Sequence, residues 1–201
     1  MPRPPRIIPD GIPQHVVNRG NQRATIFSDS ADYLGFLAAM AKAAEQTTVR
    51  LMAYCLMPNH WHLVLWPFVG REISRYVQLV MNDHIHDLQQ RHGTSGTGHI
   101  YQSRFKNSHI LTERRFVNVC RYVEANPLCA GLVNRADDWA WSSLTRSGPA
   151  EGINLLSPWP FSRPKGWLAE VNRPQANKIQ REIERAVERR SKGQRVVAAS
   201  R

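Results

Sequence analysis

The stretch VRLMAYCLMPNHWHLVLWP, Val49 to Pro67, holds two apolar runs separated by a Pro58-Asn59 break. VRLMAYCL alternates as one strand and HWHLVLW reads as another, and the break between them is short enough for a hairpin. Successive side chains of a strand point to opposite faces. His60, His62, Val64 and Trp66 therefore share one face, and Trp61, Leu63 and Leu65 share the other. Val or Ile would pack better than histidine at positions 60 and 62. Two imidazoles on one strand face can hold a metal ion, and they can also be two ordinary core histidines.

Working outward, QHVVNRG reads as a strand ending at Gly20. SDSADYLGFLAAMAKAAEQ reads as a helix with Asp29 or Ser30 as N-cap and Tyr33, Phe36, Leu37 and Met40 at helical spacing. On the other side, REISRYVQLVMNDHIHDLQQR sets Ile73, Tyr76, Val77, Val80, His84 and Leu88 on one helix face, and HGTSGTGH is a loop. IYQSRFKNSHIL is strand-like, and TERRFVNVCRYVEANP is a third helix stopped by Pro127. This order predicts an α+β, ferredoxin-like βαββαβ antiparallel sheet with helices on one face. The other face is left to bind something, and the last helix of the core lies across it.

Residues 1–145 are expected to form this domain. Residues 146–170 are a Pro/Gly/Ser-rich connection, and 171–201 a basic helical extension. Pro174 opens that last helix, whose stripe is Ala176, Ile179, Ile183, Ala186 and Val187. The extension carries nine Lys/Arg against three Glu, more than half of the chain's formal +11. It reads either as a solvated amphipathic helix or as an arm that tracks phosphates.

At 201 residues and 42% hydrophobic, the chain is long enough for one real core. The charge of +11 and a pI near 10.3 make nucleic acid the first partner to expect. No apolar run reaches the ~18 residues of a spanning helix, so the expectation is a soluble, cytoplasmic protein with no membrane partner. Cys55, Cys120 and Cys129 form no CxxC pair, which argues against a disulfide framework or zinc knuckle.

In the third helix, Phe116, Val119, Cys120 and Val123 form the core-facing stripe. Tyr122 and Asn126 sit one turn apart on its flank. Taken singly, Tyr122 reads as a half-buried tyrosine and Asn126 as a helix terminator before Pro127. Taken together, with the helix across the sheet, His60, His62 and Asn126 offer two nitrogens and an amide oxygen to a divalent cation, leaving open positions. Such a mixed set suits Mg²⁺, Mn²⁺ or Zn²⁺. Tyr122 then points at whatever the cation polarises, and on a basic protein the expected group is a phosphodiester.

These residues carry a family likeness. PNHWHLVL resembles the HUH motif (His, bulky hydrophobic, His) of single-tyrosine transposases of the smallest insertion sequences. HVVNRGNQRATIF, AYCLMPNHWHLVLWP, GHIYQSRFKN, RYVEANPLCAGLV and WSSL, in that order, are similar to the REP-associated tyrosine transposases. The resemblance implies that His60 and His62 bind the metal, Mg²⁺ or Mn²⁺, with Asn126 as third ligand and Tyr122 as nucleophile. It implies nicking and joining of single-stranded or hairpin DNA through a 5′-phosphotyrosine, by a monomer more than a dimer. Ser103 and Cys129 depart from the family's frequent Gly and Arg, and a Cys cannot hold a phosphate as that Arg does.

DNA contacts are expected from Arg19, Arg23, Arg104 and Lys106, and from Arg181, Arg185 and Arg189 of the tail. Trp139, Trp141 and Tyr101 either stack on unpaired bases or pack in the core. Two rival readings stand beside the nicking enzyme. One is a non-catalytic regulator that binds hairpin DNA. The other is a metal-dependent hydrolase that uses water and leaves Tyr122 idle.

Overall fold

A computed structural model describes residues 6–94, 98–145, 155–174 and 176–191. The hairpin at its centre is β2 (Arg50–Met57) and β3 (His60–Trp66), joined by Pro58 and Asn59 and paired from Met57↔His60 back to Arg50↔Trp66. β1 (Gln14–Arg19) lies antiparallel on the other side of β3, and β4 (Lys106–His109) pairs with the outer side of β1. The strand order β2-β3-β1-β4 is that of the βαββαβ fold expected from the sequence.

α1 (Ser30–Glu45) and α2 (Arg71–His92) cover one face. Their apolar stripes close over Val16, Leu56, Trp61, Leu63 and Leu65. Asp29 caps α1, accepting from the amides of Ala31 and Asp32, while Asp32 reaches back to Ser28. The Asp32 carboxylate, itself buried, also takes Arg91 and His92 from the end of α2 at 3.0 and 2.9 Å, so it ties the start of one helix to the end of the other.

The second face is not left open. α3 (Glu113–Cys129) lies over β2 and β3, burying Phe116, Val119, Cys120 and Val123 against Ala53, Cys55, Met57 and Val64. α5 (Asn177–Ser191) seats Ile183 and Val187 beside it, over β4 and β1. Between them, α4 (Trp167–Asn172) sends the Trp167 indole into the same core. An amphipathic helix of this length buries its stripe wherever an apolar surface is available; β4 itself is polar, and Ile183 joins the cluster of Ile110, Phe116 and Val119. Residues 146–154 of the expected connection lie outside the described residues. From Leu155 onward the chain packs on β2, where the Ser157 amide donates to the Leu51 carbonyl at 2.8 Å.

Two expected elements differ in detail. β4 keeps only four residues of the strand-like IYQSRFKNSHIL. Tyr101 bridges Gly20 and the Gln102 amide donates to the Arg19 carbonyl, but residues 103–105 bulge out before Lys106 rejoins β1. Pro127 does not stop α3 but sits inside its last turn, where its missing N–H costs one bond; the helix ends at Cys129, followed by Gly131 with φ +69. Trp141 stacks on Tyr33 at 4.4 Å, Trp139 donates to the Leu56 carbonyl, and the Tyr101 hydroxyl meets His84 and Trp61. All three aromatics are thus engaged in the core rather than offered to bases.

Candidate active site

β1 and β3 are adjacent, so their outward residues form rows on the α3 side of the sheet. The register pairs Arg19 with His60, Val17 with His62 and His15 with Val64. β4 adds Lys106 opposite Val17. α3 brings Tyr122 to the same place: its ring meets His62 edge-on at 5.6 Å and His15 at 5.8 Å. The phenol and the imidazoles thus converge within one chain, although about sixty residues separate them. His62, Tyr122, Arg19 and Lys106 line a cleft at the seam between α3 and α5, with His15 at its floor.

His60 stands at the rim, edge-on to His62 at 5.0 Å. The loop after β1 holds it. Gly20 packs so closely that a Cβ there would lie 2.2 Å from the Ala24 carbonyl oxygen. Gln22 and Arg23 follow in left-handed backbone (φ +52 and +62), a conformation that costs roughly 1–2 kcal/mol at a non-glycine residue. The turn presents the Arg23 carbonyl to the Asn59 amide at 3.2 Å, and Asn59 Oδ1 lies 2.7 Å from His60 Nδ1. An amide oxygen only accepts, so His60 Nδ1 carries the proton and its Nε2 keeps a lone pair. His62 Nδ1 is engaged by His15 Nε2 at 3.0 Å, and His62 Nε2 is buried without a hydrogen-bond partner among the described residues.

Each imidazole of the pair thus has Nδ1 tied to a second group and Nε2 left over, the outer arrangement that metal-binding histidines have. Among the described residues no cluster of three His, Cys, Asp or Glu could hold a metal. Any cation here relies on the two imidazoles and an oxygen from elsewhere. Asn126 sits one turn past Tyr122 on α3, with its Nδ2 donating to the Tyr122 carbonyl at 2.9 Å, which leaves its oxygen as the possible ligand. Neither Asn126 nor His60 lines the cleft itself.

Burial holds these histidines neutral. His60 is pushed down to about 4 by burial and the neighbouring Arg19, His15 to about 3 by burial and Arg115, and His62 well below the usual range by burial and the other imidazoles. Neutral imidazole is the form that binds metal. Burial likewise pushes the core His84 to about 3. The same shifts predict acid sensitivity. A group whose folded pKa is depressed takes a proton on unfolding, so stability is full above pH ~6.5 and falls as pH drops towards 4, by roughly 1 kcal/mol per pH unit for each such histidine. Urea midpoints measured with chelator present at pH 7.5 and 5 should show a clear drop. Equal midpoints would contradict the burial of uncharged imidazoles.

Tyr122 is 8% exposed, and burial, with Glu184 of α5 as the next cause, raises its phenol to about 12; the Asn126 amide pulls partly back. Glu184 and Glu188 line the cleft from the α5 side. The tail therefore turns acidic residues towards the site, while Arg181 and Arg185 are solvent-exposed. The Arg189 side chain lies outside the described residues. Arg23, whose carbonyl meets Asn59, and Arg104 are exposed, and Arg19 and Lys106 are half-buried in the cleft. α3 itself is pinned from behind. The buried Glu124 carboxylate accepts from the Ser143 hydroxyl at 2.8 Å and the Trp167 indole at 2.6 Å.

Sequence reasoning missed His15 and Glu184. His15 was legible in principle, because alternation along QHVVNRG puts it on the face of Val17 and Arg19, and the βαββαβ order places that strand beside the histidine pair. Nothing in the sequence says where the tail docks, so Glu184 carried no signal.

Comparison with known proteins agrees with this architecture. The profile of the family described as "Transposase IS200 like" matches residues 10–126, which include both histidines, Tyr122 and Asn126. A Haemophilus influenzae protein assigned as a REP-associated tyrosine transposase is 25% identical over 133 residues, 60% of this chain and 73% of that one. A solved structure of a REP-associated tyrosine transposase bound to a REP hairpin superimposes with a TM-score of 0.58 at 19% identity, over 71% of this chain and 82% of that chain.

Proposed function

The chain belongs to the IS200-like transposase family, and on that premise we propose that it nicks and rejoins single-stranded DNA at hairpin sequences through a covalent link to Tyr122. The observation that carries the reading is the approach of the Tyr122 ring to His62, 5.6 Å edge-on, in a cleft lined by Arg19 and Lys106. His60 and His62 through Nε2, with the Asn126 oxygen, would hold a divalent cation, Mg²⁺ or Mn²⁺. Such a cation supplies electrostatic stabilisation of the charge developing on the phosphate and the departing 3′-oxygen.

The chain's own groups do the rest. Arg19 and Lys106 neutralise the approaching phosphate and hold it over the sheet. Tyr122 Oη attacks phosphorus as the bond to the 3′-oxygen breaks, giving a 5′-phosphotyrosine and a free 3′-hydroxyl. The phenolic proton leaves Oη and the departing oxygen takes one up. The phosphodiester is conserved in the new bond, so a second 3′-hydroxyl can reverse the step without ATP. Residues 171–201 would add phosphate contacts through Arg181 and Arg185, exposed on α5, and through Arg189. The solved relative bound to a hairpin makes folded single strands the substrate to test first. Incubation with labelled hairpin DNA and Mn²⁺, followed by a denaturing gel, should give a retarded protein-linked band. Cleavage without that band would mean that water, not tyrosine, is the nucleophile.

A second reading, a hairpin-binding regulator without turnover, is favoured by one observation: Glu184 and Glu188 line the cleft beside Tyr122, where they oppose the approach of a phosphate. It predicts tight binding with neither cleavage nor adduct. Both readings share an electrostatic interface. With Arg19, Arg23, Arg104 and Lys106 as phosphate contacts, the logarithm of affinity should fall against the logarithm of salt with a slope of roughly −3, steepening to about −5 with the three tail arginines engaged. Lys106→Ala should flatten that slope by about 1 without changing sequence preference. A salt-independent affinity would remove the basis for phosphate contacts.

A further inference from the structure

We propose that His15 is a positioning residue for His62: through Nε2 it accepts the proton of His62 Nδ1–H and so leaves the lone pair of His62 Nε2 free to bind a cation. The inference rests on the cation-site reading above and adds a residue to it. His15 lies on β1, diagonal to His62 across the β1–β3 pairing, where aromatic side chains on one face reach each other. Its ring stacks on that of His62 at 5.2 Å with the planes 15° apart, and the facing nitrogens are 3.0 Å apart. The residue is 1% exposed, beneath the edge of the Tyr122 ring.

A hydrogen bond between two neutral imidazoles takes one N–H and one lone pair, so only two proton arrangements exist. In the first, His15 Nε2–H donates to His62 Nδ1. The proton of His62 then sits on Nε2, where it blocks coordination and has no acceptor, because His62 Nε2 is buried without a partner. In the second, His62 Nδ1–H donates to His15 Nε2, and His62 Nε2 is free to ligate. The His15 proton then sits on Nδ1, which is also buried without a partner among the described residues. Each arrangement thus leaves one orphan N–H, and only the second leaves His62 able to bind a cation. His60 is fixed in the matching form by Asn59. An Nε2 lone pair on each of two histidines of one strand face is the outcome a cation site needs, and His15 is the acceptor that makes the second of them available. The paired outer groups resemble the carboxylate or carbonyl partners that usually hold metal-binding histidines, with an imidazole in that role.

The test reads metal affinity and tautomer rather than turnover. Mn²⁺ binding to the full chain without DNA, followed by electron paramagnetic resonance, should weaken about 10–100-fold in His15→Leu. His15→Gln, whose side-chain oxygen accepts where Nε2 does, should recover most of the affinity. Long-range ¹H–¹⁵N correlation on the wild-type chain should find the His62 proton on Nδ1. Wild-type affinity in a folded His15→Leu variant, or a His62 proton on Nε2, would overturn the inference. If the wild-type chain binds Mn²⁺ no better than His60→Ala does, the cation-site reading itself fails, and the inference falls with it.

Discussion

Tyr122→Phe is expected to abolish the protein–DNA adduct while leaving hairpin affinity within about threefold of wild type. The substitution removes one oxygen from a ring that is nearly buried between α3 and the histidine row. Packing is conserved, since the edge-on contacts with His62 and His15 are made by the ring. Phosphate contacts come from Arg19 and Lys106, which the change does not touch. What is lost is the only atom of the residue able to bond to phosphorus. Loss of a nucleophile without a substitute lowers turnover by at least about three orders of magnitude. A denaturing gel of the variant with labelled hairpin and Mn²⁺ checks this, beside a binding isotherm for affinity. A variant that still forms the adduct would move the nucleophile elsewhere.

His60→Ala is expected to lower nicking by about 100- to 1000-fold, equivalent to roughly 3–4 kcal/mol of transition-state stabilisation. His60 is the better of the two histidines to remove. It lies at the rim, half-buried, and its partner Asn59 keeps a second bond to the Arg23 carbonyl. His62→Ala would mix two effects, because it also strips the partner from the buried His15 and leaves a cavity under Tyr122. For His60→Ala the urea midpoint should stay near wild type while the rate and the Mn²⁺ affinity fall together. A rate unchanged at saturating Mn²⁺ would assign His60 to structure.

Much of this site was legible before any coordinates, for two periodic reasons. A period of two puts His60 and His62 on one strand face, and a four-residue spacing puts Tyr122 above Asn126 on one helix flank. The βαββαβ order then makes that strand central and gives the last core helix a sheet face to cross. What stayed hidden depended on contacts that periodicity cannot encode. The alternation of IYQSRFKNSHIL looks like a continuous strand, but the ladder breaks where residues 103–105 bulge between two pairings with β1. Pro127 looks like a stop, yet in a last turn it costs a single bond. The stripe Ile179, Ile183, Val187 declares that α5 buries one side but not against what. Its docking over β1 and β4 decides that Glu184, and not an arginine, faces the phenol.

That docking gives the chemistry its main obstacle. A phenol raised to about 12 is protonated at neutral pH and is a weak nucleophile as it stands. Both burial and Glu184 act in this direction. An incoming cation and the positive cleft side chains act in the other. The competition between them sets how readily Tyr122 reacts, and it is resolved at one atom.

The most direct measurement is therefore to find where the DNA becomes attached. Wild-type protein incubated with hairpin DNA and Mn²⁺, then digested with nuclease and trypsin, should yield the peptide of residues 122–135 carrying a 5′-linked nucleotide on Tyr122. Attachment to any other residue, or a free 5′-phosphate with no modified peptide, would contradict the account.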